Sequence, residues 1–314
     1  MSRYREADLS KLTRLSAHER PTKVSVADFA RPLDPRAAAA VIASLPDQLA
    51  ARTLREVIAR TVTAHRAGRP VVLMLGGHVV KVGVSPCLIT LIERGVFTHV
   101  AMNGAAAIHD IEIARMGCTS EDVEANLASG TFGMVDETGT FMNRVASDAA
   151  RAGDGLGEAW GAALEAEPAP HRDFSLLARA ARRGIPATVH VALGTDTIHY
   201  DPGCDGAALG GGSLRDFRIF AAALSEARGA VVFNLGSAVL MPEVFLKALT
   251  VARNLGASLD GLTTVNMDQI QHYRPRHNVV DRPTRAPGAR GCSLTGHHEI
   301  MVPLLCAAVV AELA

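Results

Sequence analysis

Apolar residues along this chain fall into two alternating patterns. Short unbroken runs such as Val71-Val72-Leu73-Met74-Leu75 are bounded by glycine or proline. Between them lie stretches with apolar residues at helical spacing, as in Leu49, Leu54, Val57, Ile58 and Val62. A continuous apolar run marks a strand buried on both faces of a parallel sheet, and the spaced pattern marks a helix packed on it. Taken in order, the pattern predicts strands at 71–75, 97–102, 187–193, 230–235 and 261–265. Helices are predicted over 45–67, 86–94, 106–116, 120–128, 141–166, 174–183, 214–227, 242–255 and 298–313. Strand and helix in alternation indicate an α/β fold, a doubly wound, mostly parallel, Rossmann-like sheet. Residues 1–39 are polar and broken by Pro21, Pro32 and Pro35, and are expected to form an N-terminal helical extension to a single domain, 40–314. The Arg- and Pro-rich stretch 273–290 is expected to be irregular.

Composition narrows the class without naming a function. Hydrophobic residues make up 48% and charged residues 20%, as in a soluble globular protein. Thirty-two basic residues balance 32 acidic ones, so no global field favours nucleic acid or an acidic membrane. Five widely spaced cysteines without a CxxC pair suit a reducing compartment. No apolar run reaches membrane-spanning length and the N-terminal stretch has no apolar signal core, so a cytoplasmic location is expected.

The candidate chemistry lies where strands end. Four predicted strands run into glycine, at Gly76-Gly77, Gly104, Gly194 and Gly236. Parallel strands deliver those ends to one edge, where small residues let an extended ligand such as a dinucleotide approach the backbone. Glycine is also the least strained way out of a strand, and no GxGxxG occurs. One long loop holds Asp196, His199, Asp201 and Asp205 before a triple glycine and a helix expected near Ser213. Such a loop can bind a cationic amine or relay protons, or be turn chemistry alone. His199 and Asp201 with His297 and His298 could also form a metal site, although the spacing matches no known signature. Asp216 and Glu243 stand where helix-capping acids would, and His109-Asp110 follows the second strand by a turn.

Several segments carry a family resemblance. IPATVHVALG with GGSLRDF, the strand end NLGSAV and the closing EIMVPLL are its most specific pieces, with LMLGGHVVKVGVSP and HVAMNGAAAIHDIE matching more weakly. In their order these segments resemble deoxyhypusine synthase, which uses NAD to move the aminobutyl group of spermidine onto a lysine side chain. The resemblance covers roughly residues 40–313. It implies a deoxyhypusine synthase-type fold, NAD as cofactor, a polyamine-type substrate and sites built between subunits of a homotetramer. It further implies that Gly76, Gly77, Asn103, Gly104, Ala105, Gly236, Ser237 and Asn266 line the NAD path, with His297 near the cofactor ribose. Asp216 would hold the cationic end of the amine, and His109 and Asp110 would stand beside the cofactor.

One departure changes the expected chemistry. The family's catalytic lysine has no counterpart here: its segment corresponds to Asp281-Arg282-Pro283-Thr284, and no lysine follows Lys247. The family's histidine after its triple glycine falls at about Pro242 or Glu243. Without an enzyme imine, lysine modification of a protein gives way to transfer or oxidation on a small amine with NAD. His199, His109 and Glu243 are the candidate acid–base groups, and Asp196, Asp201, Asp216 and Asp110 the candidates for holding the amine. A non-catalytic nucleotide- or polyamine-binding protein and a metal-dependent enzyme are the alternatives.

Overall fold

The structure, a computed structural model, describes residue 3 and residues 6–314. Among these residues the strands are β1 (Thr22–Ser25), β2 (Val71–Leu75), β3 (His99–Asn103), β4 (Cys118–Glu121), β5 (Ala187–His190), β6 (Val231–Leu235), β7 (Thr263–Asp268) and β8 (Arg290–Thr295). Six of them form one parallel sheet in the order β5-β3-β2-β6-β7-β8. The chain enters at β2, winds outward through β3 to β5, then returns across the sheet to β6 and winds the other way. In chain order this is the 3-2-1-4-5-6 arrangement of a doubly wound, Rossmann-like sheet, and sheets of this kind have a crevice where the winding reverses, here between the ends of β2 and β6. Both strands are buried throughout because helices cover both faces, which is why they read as unbroken apolar runs.

Helices Leu49–Arg66 and His298–Leu313 pack together on one face, and Gly206–Ala223 and Leu240–Asn254 on the other. Among the described residues no helix is long and apolar enough to cross a membrane.

Several local elements differ from expectation. A sixth parallel strand, β8, forms at the sheet edge, where exposed Arg290, Ser293 and Thr295 alternate with buried Cys292 and Leu294. The helix expected near Ser213 begins at Gly206, so the triple glycine lies inside it. Gly212 is required there, because a Cβ would press on the Leu156 side chain at 2.7 Å. Cys118–Glu121, whose last two residues were expected to open a helix, is β4, and it pairs antiparallel with β1. The segment from 273 is helical to Asp281, its last part as a π-helix.

In place of a wholly helical extension, the N-terminal region carries single 3-10 turns at Leu9–Lys11 and Val26–Asp28 around β1. A regular helix begins only at Pro35 and runs to Ser44, across the expected boundary at 39. The arm is fixed by the β1–β4 ribbon, by Phe29 edge-on to Phe174 at 5.7 Å, and by Arg20, whose buried guanidinium bridges Glu112 (3.0 Å) and Glu121 (3.5 Å).

Two histidines inside the sheet make stability depend on acidity. His99 of β3 and His190 of β5 share the Thr188 hydroxyl (3.0 and 3.1 Å) and lie against the Phe220 ring. Burial pushes them down to about 3 and about 4 from 6.5. As pH falls below 6.5 the unfolded chain takes up protons that the fold does not, so stability is lost from there towards pH 3–4. His190→Gln is expected to abolish its share. Its stability relative to wild type should rise by about 1.4 kcal/mol per pH unit between pH 6.5 and 4. Urea unfolding at stepped pH measures this, and parallel curves would contradict it.

Candidate functional site

The crevice between β2 and β6 is walled by backbone. A Cβ on Gly76 would overlap the carbonyl of Gly236 and come within 3.2 Å of the Ser237 Cα. Gly76 N–H donates to Leu235 (3.0 Å) and Gly236 N–H to Met267 (3.2 Å), so the loops cannot easily part. Gly236 has φ +59°, and its turn feeds helix Leu240–Asn254, whose Met241 amide is capped by Ser237 Oγ at 3.2 Å. The turn is fixed from beneath by Asn234, whose Nδ2 donates to Ser237 O (3.0 Å) and to Asn266 Oδ1 (2.7 Å). His298 closes the crevice: its Nε2 bonds the Met267 carbonyl (3.1 Å), and its ring stands 5.5 Å from that of His78. Burial, then His298 and Lys81, lower the pKa of His78.

Beside the crevice lies a cavity of about 210 Å³, lined by Lys81, Ala105, Ile108, His109, Phe132 and Asp196 among others. His109 is brought there by helix Gly104–Met116, which Asn103 caps through Ala106 N–H at 2.9 Å. Its ring rests on Gly77, where a Cβ would stand 3.1 Å from His109 Cδ2. The Thr119 hydroxyl donates its one proton to Glu112, so it must accept from His109 Nδ1–H (2.8 Å). His109 Nε2 therefore carries a free lone pair, and burial holds the ring neutral with a pKa of about 4.

Asp196 supplies the opposite chemistry. Its side chain is only 8% exposed, and its Oδ2 has no hydrogen-bond partner. It lies against Gly104 so closely that any Cβ there would overlap it. Burial pushes its pKa up to about 6, close to where a proton-transfer group works at neutral pH. His199 does not share this role. Its Nδ1 accepts from the amides of Gly194 and Asp196 (3.1 Å each), so Nε2 bears the proton, 3.8 Å from Asp196 Oδ2. The neutral ring has no lone pair left to act as a base.

Gly76, Gly77, Gly104, Ala105, Gly236, Ser237, His109 and Asp196 are thus brought to one edge. The other candidates are committed elsewhere. Asp110 is fully buried beneath helix Leu176–Arg182, accepting from Ser175 Oγ (2.5 Å), Leu176 N (2.7 Å) and Leu177 N (3.1 Å). Asp201 is held by Arg14 (3.1 Å) and Gly203 N (2.8 Å). Asp216 is fully buried on the outer side of edge strand β5, accepting from Val189 N (2.7 Å) and Gly157 N (3.0 Å). It satisfies the sheet edge.

Glu243 forms a surface cluster with Lys247, Arg274 (3.2 Å) and Asn278 (2.9 Å), and the Lys247 bond lowers its pKa. Asn266 is wholly buried and acts on the Gly236 turn only through Asn234. His297 points outward, 63% exposed, beside Glu299 (3.8 Å), and it is His298 that reaches the crevice. Among the described residues no three His, Cys, Asp or Glu side chains are grouped as a metal centre, so His199, Asp201, His297 and His298 do not assemble one.

Two residues were not anticipated at the β2–β6 crevice or the cavity beside it. His298 was legible as half of a His-His pair, but not which half turns inward. Lys81 carries a usable signal: four residues beyond Gly77, it ends the short helix Gly77–Lys81 that follows β2 and packs against helix Gly104–Met116.

No family model matches the sequence, and no curated sequence is similar enough to match it. Solved structures do match in fold. Unliganded AgrE superposes with a TM-score of 0.56 at 17% identity over 91% of this chain. A ternary complex of AgrE with ornithine and NAD+ gives 0.52 at 15% over 90%. This chain spans about a third of those proteins, 34% of each. A candidate deoxyhypusine synthase from Entamoeba histolytica gives 0.48 at 13%, covering 76% of this chain and 73% of its own.

Proposed function

We propose that this chain binds NAD across the β2–β6 crevice and acts on a small amine in the adjoining Asp196 cavity. The reaction would be amine oxidation or transfer of an aminoalkyl group between small amines. One observation carries the reading. The point where the winding reverses is also where Gly76 and Gly236 leave no room for a Cβ, and it adjoins a cavity with an unpartnered buried carboxyl. Bound NAD would supply a hydride acceptor. Gly76, Gly77, Gly236 and Ser237 would let its pyrophosphate meet backbone, with the positive end of helix Leu240–Asn254 facing it. Asp196 would hold the ammonium, and His109 Nε2 would take the proton released as the amine carbon is oxidised. Glu112, through Thr119, would stabilise His109 as it charges.

The AgrE complex with ornithine and NAD+ supports pairing this fold with an amine and that cofactor. We extend the reading to a role in polyamine metabolism, a cytoplasmic location and a homotetramer, each as a proposal.

Calorimetric titration of the purified protein with NAD+ and NADH tests it directly. Saturable binding is expected, followed by NADH formation with putrescine, spermidine or agmatine. If neither nucleotide binds, the reading fails. Binding without turnover would instead favour the non-catalytic alternative, to which the absence of any lysine after Lys247 already lends weight.

A further inference from the structure

We infer that the amine taken into the Asp196 cavity also carries a carboxylate, which Lys81 holds, so that the guest is a zwitterionic basic amino acid and not a simple polyamine. The inference rests on the proposed reading of the cavity as the amine site.

It follows from which charges around the cavity already have partners. Arg20 is spent on Glu112 (3.0 Å) and Glu121 (3.5 Å). Glu112 also takes the hydroxyls of Thr119 and Thr138 (3.0 Å). Glu121 takes the Gly133 amide (2.9 Å) and the Asn126 carboxamide (2.5 Å). The three form a buried cluster of one guanidinium and two carboxylates, with a net charge of −1. Two lining charges remain: the half-buried Lys81 ammonium, which has no hydrogen bond or ion pair among the described residues, and the Asp196 carboxyl with its unpartnered Oδ2. Ala105, Ile108, Val123 and Phe132 are the apolar residues lining the same space. Lys81 complements the carboxylate of a basic amino acid, Asp196 one of its two cationic groups and the net negative charge of the Arg20 cluster the other, with the apolar lining along the methylenes between. At about 210 Å³ the cavity is smaller than the ~300–1,000 Å³ of drug-sized sites, which suits such a guest better than a dinucleotide.

A plain diamine would leave Lys81 buried beside it without a counter-ion, which is the basis for discrimination. The other anion that Lys81 could meet is a phosphate of the cofactor, and the experiment separates the two sources. Wild type, Lys81→Met and Asp196→Asn are titrated calorimetrically with L-ornithine, putrescine, L-arginine and agmatine, each with and without NAD+. In wild type the amino acids should bind roughly 10- to 100-fold more tightly than their decarboxylated counterparts. Lys81→Met should bring that ratio to about one, by weakening the amino acids and easing putrescine binding, while leaving the melting temperature unchanged. Asp196→Asn should weaken all four.

Equal affinities in wild type, or no binding by any probe, would overturn the inference. So would a Lys81→Met variant that loses NAD+ affinity but keeps the ratio, since Lys81 would then belong to a cofactor phosphate. A failure of the cofactor reading shows separately, as absent NAD+ binding in the same titrations.

Discussion

Asp216→Ala should unfold this protein under conditions where Asp216→Asn leaves it intact. One oxygen, Oδ2, accepts from both Val189 N–H and Gly157 N–H, while Oδ1 has no partner and lies against Gly155. Alanine leaves two buried amides unpaired and a cavity beside them. At about 1–3 kcal/mol per amide, that is a large part of a typical domain's stability. Asparagine can place its carbonyl where Oδ2 stands and keep both bonds. It also removes a titration. Burial raises the Asp216 pKa to about 7 from 3.8, so the ionised form is disfavoured in the fold. The contribution is fully present below pH 3.8 and is lost as pH rises towards 7. Asp216→Asn should therefore match wild type only at about pH 3.8 and below, and exceed it by a few kcal/mol at pH 8. Thermal and urea unfolding across that range provide the check. If Asp216→Ala melted like wild type and lost only amine binding, Asp216 would be a substrate ligand and its buried placement would be mistaken.

The same residue shows where sequence reading reached its limit. Fully buried parallel strands such as Val71–Leu75 and Val231–Leu235 announce themselves as apolar runs, and their ends must share an edge, so Gly76, Gly104 and Gly236 could be grouped in advance. Strand β8 gave no such run, since an edge strand covered on one side carries Arg290, Ser293 and Thr295 outward. Helix Gly206–Ala223 is hidden by glycines that weaken helix propensity locally, of which Gly212 packs on Leu156. Among the carboxylates, sequence could say which fall near the strand ends but not which are already engaged. The partners of Asp110, Asp201 and Asp216 lie 65, 187 and 27 residues away, at Ser175, Arg14 and Val189. Asp196 stands out only once those pairings are known, and Lys81 only once Arg20 is seen to be paired with Glu112 and Glu121.

Gly76→Ala should be the most damaging single-methyl change at the candidate cofactor site. The added Cβ meets the Gly236 carbonyl and, at 3.2 Å, the Ser237 Cα, both of them backbone. Neither side can yield cheaply. Gly76 is tied to Leu235 and Gly236 to Met267, and the turn beyond is held by Asn234. Forced overpacking costs about 1–3 kcal/mol, so a clear drop in melting temperature is expected. NAD(H) affinity should fall at least about 10-fold, because spreading this crevice by even a few tenths of an ångström moves the amides that would meet the pyrophosphate. Gly104→Ala makes the contrast. Its Cβ meets first the Asp196 carboxyl, a side chain and not backbone. That variant should fold and keep NAD(H), yet lose amine binding, because the displaced carboxyl is the group that would hold the ammonium. The pair separates the two halves of the site by thermal melting and parallel titrations with NADH and a basic amino acid. Were Gly76→Ala to melt and bind NADH as wild type does, the β2–β6 crevice could not be the cofactor's seat.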